Sequence, residues 1–263
     1  MIIDCFPFFN EFDILKIRLH ELDPWVDKFV LVESRETFSG NKKPLWFAEN
    51  KQMFEEFLPK IIYLESPVVK DLGIPKNYKA SLARQIPQKD YVMQGLKGCS
   101  DDDLIIIGDV DEIPKGRDFE SLCKKSPAPY WRLACAQYFY FMNLYRPGAW
   151  IGPVIIPYKN IFSYFKGSPM AVRLKRRKGG VLQSGNPDGW HFTFMGGLES
   201  IQLKYKSYGH FKSHVDEKET VTLQRMKEGE LIKGRSLTKV PIDNLYPKWF
   251  ADNIKDFQHL LSV

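Results

Sequence analysis

Two phosphate-binding signatures are missing from the chain. No G-x-x-x-x-G-K-[ST] loop occurs, and no G-x-G-x-x-G follows the first apolar strand. Kinases and dinucleotide-dependent dehydrogenases are thereby set aside. Cysteine is scarce: Cys5, Cys99, Cys123 and Cys135 form no C-x-x-C pair, so reduced, packed thiols are expected and a zinc site is not. No run reaches the roughly 18 apolar residues that a bilayer-spanning helix needs. The opening "MIIDCFPFFNEFD" reads directly as a strand, without the basic segment and long apolar stretch of a signal peptide. A soluble, cytoplasmic protein is the expectation. Basic and aromatic residues do not interleave as a single-strand platform requires, which argues against a nucleic-acid partner. Internal repeats and low-complexity segments are absent too, and nothing in the sequence sets an oligomeric state.

What is present is an ordinary globular composition with one bias. The 263 residues are 44% hydrophobic and 27% charged, enough for a full core. Aromatics reach 14%, which suits stacking surfaces as well as a large core. The net charge of +6 is partly local, in "RLKRRKGG" from Arg173 to Gly180, a run that attracts phosphates or stands solvated as a loop.

The first third alternates strand and helix. "MIIDCF" reads as a strand. The next stretch, "NEFDILKIRLHELDPW", places Phe12, Leu15, Leu19 and Leu22 at helical spacing, with Asn10 as N-cap. "KFVLVES" (Lys28 to Ser34) and "KIIYLE" (Lys60 to Glu65) read as strands, a helix is expected from Asn77 to Leu96, and "DLIIIGDVD" reads as a fourth strand. This order implies an α/β fold with a mainly parallel central sheet and helices on both faces. After Pro114 the texture changes to an elaborated, aromatic-rich half. "YWRLACAQYFYFMNLY" (Tyr130 to Tyr145) reads as a long strand and "WIGPVIIPYKNI" as a strand pair. Gly167 to Asp188 reads as loops, and the tail "YPKWFADNIKDFQHLLSV" as a helix with Trp249, Ile254, Phe257 and Leu261 on one side. One domain over residues 1–263 is expected, with an α/β half (1–114) and an aromatic-rich half that carries the terminal helix (115–263).

The chemistry-bearing stretch is "DLIIIGDVDEIP", Asp103 to Pro114. Asp109 and Asp111 are two apart at the end of a buried strand, so extended backbone would send both carboxylates to one side. They repel unless a cation is shared between them. A hard ion such as Mn2+ or Mg2+ uses one or two carboxylates and completes its shell with water and substrate phosphates. The position matters as much as the pair, because ligands of open α/β sheets collect beyond the carboxyl ends of the strands. Paired aspartates also suit a nucleotidyltransferase, a phosphohydrolase or a non-catalytic sugar-nucleotide-binding module. A two-metal phosphohydrolase would want more histidine in the first half, where only His20 occurs.

The segments "FFNEFDILKIRLHELDPWVDKFVLVES", "DVDEIP", "GWHFTF", "LESIQLKYKS" and, more loosely, "YPKWFADNIKDFQHLL" together resemble glycosyltransferase family 17. The resemblance implies a GT-A type, Rossmann-like fold and an inverting transfer from a nucleotide-diphosphate sugar, UDP-N-acetylglucosamine in the best-known case, to a glycan hydroxyl. With the metal placed at Asp109 and Asp111, the motif match adds His191 as a further metal ligand or a diphosphate donor, with His210 and His214 as weaker alternatives for that role. Glu199 is the first candidate for the proton-accepting base and Asp188 the second. For the donor, Asp109 can also hold the ribose. Glu33, Asn10 and Glu11 stand where a nucleoside would, and Trp190 could stack on a sugar face. Lys204, Arg84, and Arg173 with Arg176 and Arg177, could neutralise phosphate. Glu112 would orient one of the aspartates, and Arg84 could instead pair with Glu33.

Overall fold

The computed structural model of the chain describes residues 1–70, 72–73, 78–182, 187–208, 219–231 and 235–262. Its first half follows the expected order: β1 (Ile2–Pro7), α1 (Phe12–Leu22), β2 (Lys28–Ser34), α2 (Trp46–Asn50), β3 (Ile61–Ser66), α3 (Tyr78–Asp90) and β4 (Leu104–Ile107). A 3-10 stretch, Tyr91–Leu96, carries the end of the helix expected to run to Leu96. These four strands are parallel and ordered β3-β2-β1-β4. Their side chains alternate between two cores, as period-2 backbone requires. Phe29, Leu31, Leu104 and Ile106 join Leu15, Leu19 and Phe47 on one face, while Val30, Val32, Ile105 and Ile107 join Val92 and Leu96 on the other. Helices therefore cover both faces, as expected.

The second half adds antiparallel pairings to a sheet that stays parallel in most of its pairs, and so makes it a mixed one. The remaining strands are β5 (Glu112–Pro114), β6 (Trp131–Phe139), β7 (Leu144–Pro157), β8 (Gly180–Val181) and β9 (Gly189–Thr193). Among the described residues they extend one mixed sheet, in the order β3-β2-β1-β4-β7-β6-β9-β5, with β8 beside β6. β7 is antiparallel to both β4 and β6, and β5 is antiparallel to β9. The reason is connectivity. β6 and β7 follow one another through a tight turn, which permits only antiparallel pairing. That turn, with Tyr140 at φ 66°, splits the aromatic run that read as one strand, and Pro153 does not break β7 into a pair.

Other local expectations also change. Asn10 does not cap α1: the cap position is Glu11, and the Asn10 N–H donates to the Glu11 carboxylate at 3.1 Å. The basic run is partly helical. Between α5 (Tyr158–Phe165) and β8 lies α6 (Pro169–Lys175), capped by the Ser168 hydroxyl, which accepts from the Ala171 N–H. The helix α4 (Phe119–Lys125) follows β5, and α7 (Gly197–Ser207) and α8 (Glu219–Glu228) follow β9. A small ribbon, β10 (Glu230–Leu231) with β11 (Arg235–Ser236), precedes β12 (Thr238–Lys239), which pairs with β7. The tail is α9 (Lys248–Asp252) and a 3-10 segment, Ile254–Leu260, not one helix. Its four apolar residues still pack into a single cluster with Trp190, Phe192 and Tyr246.

The sheet must curl. β4 and β5 are separated by three strands in the pairing order, a flat span of about 19 Å at the usual strand spacing. Only Gly108–Asp111 connects them, and the Glu112 N–H donates back to the Asp109 carbonyl at 3.0 Å, closing a tight turn. Such a link reaches no more than about 14 Å, because a β-turn holds its end Cα atoms within about 7 Å. Curvature brings β5 back towards β4, and the acidic turn bridges the concave side.

Candidate active site

A cavity of about 430 Å³ opens beyond the carboxyl ends of β1, β2 and β4. It is walled by Phe8 and Phe9 after β1, by Thr37 and Phe38 after β2, and by Gln85, Gln88 and Lys89 from α3. The acidic turn forms its floor, with Phe139, Trp150, His191 and Phe194 behind it. Arg173 and Arg176 enter from α6 and the turn that follows it, and Lys204 from α7. Its volume falls within the range of small-molecule sites. Five cationic side chains (Lys43, Lys89, Arg173, Arg176, Lys204) face five carboxylates (Glu11, Glu36, Asp109, Asp111, Glu112) among the described lining residues.

The acidic turn is fastened from beneath. Arg18, on the buried stripe of α1, has no exposed surface and grips Asp4 of β1 with two bonds of 2.7 and 2.6 Å. Its remaining nitrogen donates to the backbone carbonyls of Asp109, Val110 and Glu112 at 3.0, 3.2 and 2.8 Å. A buried guanidinium thus gives a donor to the carbonyls of Val110 and Glu112 and a second one to that of Asp109, which the Glu112 N–H already reaches. Glu112 is tied into the cavity wall. Its carboxylate accepts from the Asp109 N–H at 3.0 Å, from Trp150 Nε1 at 2.6 Å and from both terminal nitrogens of Arg173. Gly152 makes room for this knot, since a Cβ there would lie 2.8 Å from Trp150 and 3.0 Å from the Glu112 carboxyl carbon.

Asp109 and Asp111 therefore sit on a turn and not on an extended strand, and each is met by cations. The Asp109 carboxylate accepts from Lys89 Nζ at 2.5 Å and Arg173 Nη2 at 2.9 Å. The Asp111 carboxylate accepts from Lys204 Nζ at 2.7 Å, and His191 Nε2 lies 3.8 Å away. Burial alone would push both carboxyls up. Lys89, Arg173 and Lys204 outweigh it at Asp109, and Lys204 and His191 at Asp111, so both are held below the usual carboxylate range. Burial pulls Lys204 down, but Asp111 and Glu11 more than reverse this. His191 is shifted down by burial despite Asp111, which keeps its ring neutral near pH 7. Its ring stacks on Trp150 at 4.7 Å, and its buried Nδ1 has no hydrogen-bond partner among the described residues.

The profile of glycosyltransferase family 17 matches residues 1–259. The chain belongs to glycosyltransferase family 17. Curated relatives are the beta-1,4-mannosyl-glycoprotein 4-beta-N-acetylglucosaminyltransferases of Homo sapiens and Rattus norvegicus, each 36% identical over 108 residues, and that of Mus musculus at 35%. The match covers 40% of this chain and about a fifth of the length of each relative.

In this family 17 chain the cavity gathers Asp109, Asp111, His191, Arg173, Arg176 and Lys204, all singled out in the sequence, and also Glu11. Other candidates fall elsewhere. Glu33 does not line the cavity. It is buried at the end of β2, where it accepts from Lys43 Nζ, the Phe47 N–H and the Tyr63 hydroxyl at 3.2–3.3 Å and so anchors the start of α2. Arg84 pairs with Glu36 at 3.2 Å, not with Glu33, beneath Gly40. Trp190 cannot stack on a sugar. It alternates with His191 along β9, so its ring lies in the core on the opposite face, and Nε1 donates to the Leu245 carbonyl. Asp188 is a buried backbone anchor that accepts from the Ala134 N–H at 2.9 Å and lies 3.8 Å from Arg117. Glu199 is exposed on the first turn of α7, outside the cavity lining, and Arg177 is exposed as well. His210 and His214 lie outside the described residues.

Sequence reasoning missed Lys89, Arg18, Trp150 and Phe194. The signal for Lys89 was available: Ser81, Arg84, Gln85 and Gln88 are polar at helical spacing, yet all are buried. A polar stripe where an amphipathic helix should be apolar marks a helix facing a polar site. Phe194 had no such signal. It adopts φ 60°, an uncommon region for a bulky residue, and is held there by Phe139, Tyr140 and Tyr205 with Lys204 Nζ 5.5 Å over its ring.

Proposed function

We propose that this chain is an inverting glycosyltransferase of GT-A type. It would move N-acetylglucosamine from UDP-N-acetylglucosamine to a glycan hydroxyl with the help of Mn2+ or Mg2+. The observation that carries the reading is the acidic turn itself. In a family 17 chain, Asp109 and Asp111 line a cavity beyond the parallel strand ends together with Arg176 and with Lys89, Arg173 and Lys204, which bond to them directly. Neither a simple cation site nor a simple anion site needs both sets of charges, whereas a metal-bound diphosphate does.

The donor set fits a hard ion that takes few protein ligands. Among the described residues no three His, Cys, Asp or Glu side chains form a ready cage. Asp111 and Asp109 offer carboxylate oxygens, and the neutral His191 ring, whose Nδ1 has no partner among the described residues, stands beside Asp111. Water and donor phosphates complete such a shell. When bound, the ion supplies Lewis-acid stabilisation of the leaving diphosphate. The chain's own residues do the rest. Arg173 and Arg176 give a fixed positive wall, and Lys89 and Lys204 add mobile ammonium groups that neutralise phosphate oxygens. Trp150, Phe139 and Phe194 line the wall that excludes water.

We propose Glu199 as the acceptor of the hydroxyl proton. It lies on the helix whose later turn delivers Lys204, and Glu11, 3.5 Å from Lys204, is the rival within the cavity. Glu199→Gln should retain donor binding and lose transfer; a fully active variant passes the role to Glu11. The whole reading is tested by thermal shift with UDP-, GDP- and dTDP-sugars, with and without Mn2+. A UDP-sugar at about 100 times its Kd should add about 2.7 kcal/mol of stability, and only when metal is present. No shift with any sugar nucleotide would overturn it.

A further inference from the structure

The cations at the acidic turn are of two kinds. Arg173 is fixed: its fork donates to the Gly152 carbonyl, to both Glu112 oxygens and to Asp109, and the side chain is almost fully buried. Lys89 and Lys204 are long, flexible stems that end on the two aspartates. Lys89 reaches from the last turn of α3 past the Phe38 ring to Asp109. Lys204 reaches from α7 over the Phe194 ring to Asp111, with Glu11 at 3.5 Å. Each lysine is within bonding distance of a carboxylate that would hold the ion, and both line the same cavity as the arginines that would face phosphate. An ammonium group and a divalent ion cannot both sit on one carboxylate face without strong repulsion. The formal balance of the lining is also even, with five cations and five carboxylates. Such a lining is unfavourable to a lone doubly charged cation and to a lone diphosphate, and matched to the two together.

Resting on the reading above, we propose that Lys89 and Lys204 are exchangeable counter-charges. They neutralise Asp109 and Asp111 until the donor arrives, then pass to the diphosphate as the ion takes their place, so that ion and nucleoside diphosphate enter as a coupled pair. The lysines thus hold the metal off in the absence of donor and hold the donor once the metal is in.

The test is direct binding, with Mn2+ and UDP as probes, followed by calorimetry and by the electron-spin signal of free Mn2+, with the solution affinity of Mn2+ for UDP measured separately and allowed for. Wild-type protein should bind Mn2+ at least tenfold more tightly when UDP is saturating, and linkage requires the same factor on UDP. Direct contact between metal and phosphate would produce that much by itself, so the lysine variants decide. Lys89→Met should bind Mn2+ alone at least tenfold more tightly than wild type, a gain of about 1.4 kcal/mol, while binding UDP more weakly. Lys89→Arg, which keeps the charge, should restore weak binding of Mn2+ alone. Lys204→Met provides the same opposed pair of changes if Lys89→Met does not fold. Unchanged or weaker binding of Mn2+ alone in both Met variants overturns the exchange while leaving the glycosyltransferase reading intact. Failure of wild-type protein to bind UDP with Mn2+ overturns both.

Discussion

Removing Arg18 is the sharpest test of how the acidic turn is held. Its pair with Asp4 has no exposed surface on either side chain. Arg18→Met leaves the Asp4 carboxylate stranded and takes a donor from the carbonyls of Val110 and Glu112, and the second donor from that of Asp109. Breaking a buried pair by deleting one partner costs about 3–5 kcal/mol. For a chain of this size that lowers the melting temperature by about 6–20 °C. The double variant Asp4→Leu/Arg18→Met removes the stranded charge and should recover most of that loss. It does not replace the bonds to Asp109, Val110 and Glu112, so it should fold and still bind Mn2+ with UDP at least tenfold more weakly. Calorimetric melting and nucleotide titration on the two variants separate the effects. A single variant that melts within about 2 °C of wild type would show that Arg18 does not support the fold, and a double variant with full nucleotide affinity would show that it does not hold the turn.

Asp111→Asn should abolish the metal-dependent shift with UDP-sugar while leaving the melting temperature without ligand within a few degrees. Trp190→Phe should keep donor affinity, because the ring lies in the core behind β9, whereas Trp190→Ala should cost about 3–5 kcal/mol of stability in a denaturant titration. Asp109 and Asp111 carry carboxyls held below their unfolded values. The stability they contribute is therefore present at neutral pH and lost as pH falls below about 4, through the folded values. Melting temperature against pH should show an acid limb that is shallower in Asp109→Asn, and an identical limb in wild type and variant would contradict the assignment.

The parallel half was legible because its physics is local. Apolar runs such as "KFVLVES" can only be buried on both faces, and β2 spans those seven residues. Asp109 and Asp111 were legible because acids after a buried strand demand a partner. What was hidden depends on contacts distant in sequence. Arg18 reaches residues 91 to 94 positions away, and nothing near it in the chain announces a carbonyl to be satisfied. Trp190 and His191 are neighbours in "GWHF", and only the pairing of β9 with β6 decides which of the two faces the cavity. Glu199 at a helix start and Asp188 beside a motif looked alike in sequence, yet one is exposed and the other tied to the Ala134 amide.

The short bridge between β4 and β5 acts like a bowstring. It keeps the sheet bent, and the aspartates ride on the string. Function and curvature cannot then be altered separately: one extra residue between Ile107 and Glu112 would slacken the arch and scatter the acids in the same stroke.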